Sequence, residues 1–171
     1  MIRLAFVIGS LLLLALPAQA QVSGGAFSGF SGNSGDPIAI DADELEVLDE
    51  QAKAIFSGNV KVRQGASLIT TSRLVVHYAR SSGSSGTGAN DIDRLVLTGG
   101  LVATSDNNTA TADSGVYSVK TENVVLEGNV VVSQGESVAK GCKLVANLKT
   151  NVAKMEACGG RVRSVFTPGS N

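Results

Sequence analysis

The sequence predicts an all-β domain built as a stack of repeated strand units, and three observations carry that reading. Gly58-Asn59-Val60-Lys61-Val62-Arg63-Gln64-Gly65 returns as Gly128-Asn129-Val130-Val131-Val132-Ser133-Gln134-Gly135, an offset of 70 residues. Over residues 41–80 against 111–150 the echo is gapless, with 11 of 40 positions identical. Each turn of a stacked β architecture meets the same need for edge, bend and inward-facing strand, so it repeats its chemistry. The second observation is period-two alternation, and the third is the lack of a helix-length apolar stripe after residue 20.

Residues 1–20 read as a secretory signal. Arg3 supplies the positive start, Leu4 to Leu16 form an apolar run interrupted at Gly9 and Ser10, and Pro17-Ala18-Gln19-Ala20 ends in a small-x-small cleavage pattern. Cleavage after Ala20 would release the chain into an extracytoplasmic space. Without Arg3, 13 basic residues face 15 acidic ones, a formal charge of -2. That balance offers no concentrated basic face and argues against a nucleic-acid partner.

Residues 21–37, rich in Gly, Ser and Asn, read as a flexible leader with Phe27 and Phe30 as isolated aromatics. The ordered domain is expected over 38–167, with Ile38 opening the first strand and 168–171 left as a tail. Val60 and Val62 point one way while Lys61 and Arg63 point the other. Leu74, Val76 and Tyr78 share a face opposite Arg73, Val75 and His77, and Val130 with Val132 repeat the first pattern. Ser57-Gly58-Asn59, Gln64-Gly65, Thr98-Gly99-Gly100, Glu127-Gly128-Asn129 and Cys158-Gly159-Gly160 read as turns bracketing these runs, with glycine relieving positive φ or a sharp bulge. Gly99 and Gly159 mark worn third and fourth copies of the bend-then-strand unit. A Ser/Gly loop at 81–88 lengthens the first interval. Asp43 to Lys53 and its echo Asp113 to Asn123 are both read as strands.

Val, Leu and Ile must line the interior, because only six aromatics follow residue 20. They would fill a narrow sandwich or leave an apolar slot for an alkyl chain. Close packing favours the sandwich unless a ligand occupies the slot. Cys142 and Cys158, 16 positions apart, would form one disulfide on adjacent strands or remain two buried thiols. With His77 as the one histidine they make a poor metal site. His77 on its strand reads as a partnered or solvent-facing residue rather than a base. Asp41, Asp43, Glu44 and Glu46 read as a solvated first strand rather than paired catalytic carboxylates. No nucleophile elbow, P-loop, dinucleotide fingerprint or calcium loop is present, so the sequence argues against an enzyme and implies no cofactor.

Several motifs in order carry a resemblance. They are Ile38-Ala39-Ile40-Asp41-Ala42-Asp43, then Ala54 to Gly65, then Asp93-Arg94-Leu95 before Thr98-Gly99-Gly100. Thr111-Ala112-Asp113 before Gly115-Val116-Tyr117, Val125 to Val130, and Gly160-Arg161-Val162 follow. Over residues 36–167, behind a signal, the chain resembles the LptA/OstA-like family of periplasmic lipopolysaccharide-transport proteins. The resemblance implies an elongated β-jellyroll of stacked antiparallel strands, open at both ends. It implies a carrier and bridge moving lipopolysaccharide from inner to outer membrane, with lipid A acyl chains shielded in an apolar groove. The implied partners are an LptC-like inner-membrane protein, an LptD-like outer-membrane β-barrel and further copies of the chain end to end. Alternation nominates Val60, Val62, Leu74, Val76, Val130, Val132 and Leu144 as the groove, with Ile38 to Ile40 and Val162 to Phe166 as docking edges. Two other readings stand beside this: a membrane-tethered assembly protein of the same fold, and an extracytoplasmic glycan-binding β-solenoid.

Overall fold

A computed structural model describes residues 36–79 and 92–166. The signal, nearly all of the leader, the Ser/Gly loop and the tail lie outside the described residues. The described chain is ten antiparallel strands: β1 (Ala39–Asp41), β2 (Glu44–Leu48), β3 (Lys53–Gln64), β4 (Ser67–Tyr78), β5 (Ile92–Ser105), β6 (Asn108–Ser118), β7 (Asn123–Gln134), β8 (Ser137–Asn147), β9 (Val152–Glu156) and β10 (Arg163–Val165). They form one sheet in sequence order from β3 to β8. β1 and β2 lie in succession along the free side of β3, and β9 and β10 along the free side of β8.

A lone sheet has two wet faces unless it folds over itself. Here Val60, Val62, Leu101, Val130 and Val132 from the strand halves beside one row of hairpins join Ala54, Leu74, Val76, Leu97, Leu126 and Leu144 from the other halves in one buried cluster. No second layer lies over the sheet among the described residues, so the curled sheet buries its own face, as a jellyroll does.

The bend comes from residues that the sequence reading placed in turns. Ser57-Gly58-Asn59, Thr98-Gly99-Gly100 and Glu127-Gly128-Asn129 are bulges inside unbroken strands, where the ladder skips between Ser57 and Val60, Thr98 and Leu101, and Glu127 and Val130. Gly58 (φ +78°) with Asn59 (φ +47°) repeats almost identically as Gly128 (φ +79°) with Asn129 (φ +46°). Two left-handed residues in series add a kink without ending the pairing, and Gly and Asn tolerate that region best. The Gly65 and Gly135 sites, by contrast, are true hairpin turns between β3 and β4 and between β7 and β8.

Asp43 to Lys53 is only partly strand. β2 ends at Leu48, and Asp49–Gln51 form one 3-10 turn before Ala52 reverses the chain with φ +49°. In the echo, β6 ends at Ser118 and residues 119–122 turn.

Candidate functional site

Residues directly opposite on antiparallel strands share a face, so the register traces continuous rows across the stack. One inward row runs Leu45, Phe56, Leu74, Leu97, Gly115, Leu126, Leu144, Met155. A second runs Ile40, Val62, Ile69, Ala103, Ala110, Val132, Ala139. The two rows lie on opposite sides of the bulges and face each other once the sheet bends. Leu101, beyond its bulge, lies close enough to Gly115 that a Cβ there would strike its side chain at 2.8 Å.

All seven sequence-nominated groove positions fall inside this interior. Val60, Leu74 and Val130 are fully buried, Val62 is the most exposed at 8%, and the rest lie between. They come from β3, β4, β7 and β8, the strands of the two repeat copies. Two hollows of about 280 and 240 Å³ lie instead at the bend, one by Asn59, Ser72 and Gly99, the other by Cys142, Cys158 and Arg161. The interior itself is filled by the chain's own side chains.

One inward row escaped the sequence reading. Gln64, Ser67, Ser105, Asn108, Gln134 and Ser137 are successive cross-strand partners at the rim next to the hairpins. They are polar at every strand, whereas the rows behind them are apolar. Ser67 Oγ lies 3.1 Å from Ser105 Oγ, and Asn108 Oδ1 is buried with no hydrogen-bond partner. Their position beside the hairpin turns made them look like turn chemistry; their spacing relative to Val62 and Val132 was the available signal.

The bend is fastened by side chains. Asn59 Nδ2 donates to Asp43 Oδ2 at 2.8 Å, and Asn129 Nδ2 to Asp113 Oδ2 at 2.9 Å. Ser72 Oγ donates to the Gly99 carbonyl at 2.6 Å. At the fourth bend the structure joins Cys142 on β8 to Cys158 beyond β9, with Cα atoms 5.7 Å apart. Asp43 therefore has a structural partner, and Asp41 pairs with Arg63 at 2.6 Å, so neither belongs to a carboxylate pair. His77 lies on the outward face between Lys53 and Arg94 in the cross-strand row. Burial first, then those two cations, hold its pKa below the usual 6.5, while Asp93 opposes them. No group of three or more potential metal ligands exists among the described residues.

Both ends of the stack are open among the described residues. β1 and β2 pair only with β3, and β9 and β10 only with β8. The expected docking segments fall on these edges, which also include β2 and β9. Leu45, Val47, Val152, Val165 and Phe166 are exposed there, Val165 by 65% and Phe166 by 63%. A row of unpaired backbone groups beside exposed apolar side chains is a template for another strand.

A curled antiparallel sheet with an apolar interior and two unpaired edges defines a class: β-jellyroll domains suited to stacking end on end. Residues 39–152 match the family described as LptA/(LptD N-terminal domain) LPS transport protein, and the chain belongs to that family. It is similar to an uncharacterized protein, R00383, of Rhizobium meliloti (strain 1021), at 37% identity over 92% of this chain and 86% of the relative. A Rhizobium etli protein, described as uncharacterized and encoded in an rpoN-linked probable transport protein 5′ region, is 44% identical over 24% of this chain and 76% of its own length. Among solved structures, LptH of Pseudomonas aeruginosa superposes with a TM-score of 0.65 at 20% identity, covering 78% of this chain and 96% of its own. LptH is the LptA-homologous periplasmic component of that organism's lipopolysaccharide transport device. The shared fold is the elongated, unclosed jellyroll.

Proposed function

We propose that this chain is a periplasmic carrier and bridge for lipopolysaccharide, holding the acyl chains between the two halves of its curled sheet. The observation that carries the reading is the apolar interior, which runs strand by strand from one open edge to the other. Acyl chains crossing an aqueous gap need such an unbroken apolar path, since each methylene exposed to water costs about 0.8 kcal/mol. The interior is packed on itself, so loading spreads the two halves and replaces side-chain contacts with lipid contacts. The polar row at the hairpin rim marks the side where the sugar head meets water, with Asn108 Oδ1 offering an acceptor to it. The role is transport rather than catalysis: His77 faces outward, and Asp41 and Asp43 serve as fastenings. At its edges the chain would meet an LptC-like protein on one side, an LptD-like protein on the other, and copies of itself, by strand addition.

Photo-crosslinking in cells tests this. A photoreactive residue replaces buried Val76, with exposed Lys61 as the outward control, and adducts are probed for lipopolysaccharide. An adduct at 76 and not at 61 supports the groove. Absence of adducts at both sites in folded, exported protein overturns it and leaves an assembly role without lipid contact.

A further inference from the structure

The two hollows at the bend are repeat equivalents. Thr70, Thr71 and Ser72 line the first, and Lys140, Gly141 and Cys142, 70 residues on, line the second. Across the ladder, Val102 stands opposite Thr70 as Arg163 stands opposite Lys140. The same pair of places is thus neutral in the first copy and doubly cationic in the second. The connection differs too. Three residues, 99–101, separate the pairs Arg73–Thr98 and Thr70–Val102, whereas six, 157–162, separate Lys143–Glu156 and Lys140–Arg163. The longer segment brings Arg161 to the second hollow as a third cation.

We propose that this C-terminal corner is a phosphate-binding site, with Lys140, Arg161 and Arg163 as its cations. It lies outside the acyl groove. Lys140 continues the outward row through Val131, while Ala139 beside it continues the inward row through Val132. The site therefore does not rest on the transport reading. Its hollow of about 240 Å³ is several times the roughly 30 Å³ share of one water, enough for a phosphate group and part of what it esterifies.

Charge carries the assignment. Like charges directly opposite on a sheet are destabilising, yet Lys140 and Arg163 are so placed. At the other end of the same outward row, Lys61 stands opposite Asp41, which also pairs with Arg63. No carboxylate lines the C-terminal hollow, and Glu156, just before the connection, is engaged by Lys154 at 2.8 Å. Among the described residues none of the three cations takes part in an ion pair or a side-chain hydrogen bond. An anion from outside removes the repulsion between them. Arginine presents its N–H donors as a planar fork that matches two phosphate oxygens, and lysine adds a point charge. The corner is also held in shape without a ligand, because the disulfide joins Cys142 on β8 to Cys158 on the connection. A Cβ added at Gly160 would meet nothing within 4 Å, so the backbone there is open to approach.

Titrating the exported, purified chain with inorganic phosphate, followed by amide NMR at constant ionic strength, tests the site. The Gly159 and Gly160 signals are expected to shift and saturate. Lys140→Thr with Arg163→Val installs the first copy's residues at the equivalent places and should weaken binding about tenfold. Lys154→Gln removes a cation from the same edge outside the hollow and should change binding less than about twofold. A thermal melt checks that each variant folds, and Arg161→Gln, on the connection rather than a strand, reads the same site from a single exposed position. No saturable shift in the wild type overturns the site, as does an equal loss in the double variant and Lys154→Gln. An equal response to acetate overturns phosphate as the ligand and leaves a seat for an acidic side chain. Phosphatidylcholine vesicles with and without phosphatidic acid then separate the sources of the phosphate. Co-sedimentation with phosphatidic acid that the double variant loses supports the site and assigns it to a lipid headgroup. NMR saturation without vesicle binding supports it and assigns a soluble phosphate ester. None of these outcomes touches the lipid adduct at position 76, which reports on the transport reading alone.

Discussion

β6 and the β1–β2 pair occupy equivalent places 70 residues apart and have met different fates. β6 runs unbroken from Asn108 to Ser118 between two neighbours, whereas β1 and β2 are separated at Ala42-Asp43 and have a neighbour on one side only. Both keep the fastening of the bend, Asp113 to Asn129 and Asp43 to Asn59. Their outward residues diverge: Ser114 and Val116 in the interior strand, Glu44 and Glu46 at the edge. The bend is a local requirement of the fold, so both copies meet it with the same residues. The outward face answers to whatever lies beside it. An interior strand packs Val against Val, while a strand with a neighbour on one side only carries charge and is cut short, as edge strands commonly do.

The largest test of that comparison lies in the core. Leu74 and Leu144 are equivalent positions, both essentially buried and both on the central inward row. Leu74→Ala and Leu144→Ala should each cost about 2–5 kcal/mol by urea unfolding, and the two losses should agree within about 1 kcal/mol. A much smaller loss at Leu144 would mean that the C-terminal end frays separately, ending the energetic equivalence of the copies.

A second contrast concerns Ser72 and Cys142, again 70 positions apart and both fastening a bend. Ser72 makes a hydrogen bond to Gly99, Cys142 a disulfide to Cys158. Closing a loop of this size removes about 3 kcal/mol of unfolded-state freedom, against about 1 kcal/mol for a hydrogen bond. Replacing both cysteines with Ala should therefore lower stability about three times as much as Ser72→Ala, measured by thermal melts without reductant. Equal losses would show that the covalent link adds nothing to the corner it closes.

How much of this was legible in the sequence depends on the residue. Val60, Val62, Leu74 and Val76 announced the buried face, because alternation survives in strands wet on one side. At the bends the need for positive φ or a sharp bulge was legible, but not which of turn and bulge it served, since Gly-Asn with positive φ suits a hairpin and a bulge equally well and only the register of the flanking strands distinguishes them. β9 was harder still. It is short and largely exposed, so Val152 contrasts little in burial with the charged residues around it. The polar rim around Asn108 was hidden because its members belong to different hairpins and meet only across strands.

The smallest contrast is electrostatic. His77 in the first copy corresponds to Asn147 in the second, where Asn147 Nδ2 donates to Asn123 Oδ1 at 2.8 Å and to the Thr121 carbonyl at 2.9 Å. Asn147 holds its corner at any pH, whereas His77 titrates. Burial, Arg94 and Lys53 all disfavour its proton, so its folded pKa lies below the unfolded 6.5. Above pH 6.5 both states are neutral and the shift has no effect. As pH falls from there toward the folded pKa, the unfolded chain takes up the proton first and stability declines. His77→Asn should remove that part of the acid slope, and Arg94→Gln should move the imidazole titration back toward 6.5. His77 is the chain's single histidine, so its ring signals in an NMR titration need no assignment. A midpoint at or above 6.5 in the wild type would show that Asp93 outweighs the two cations and burial together.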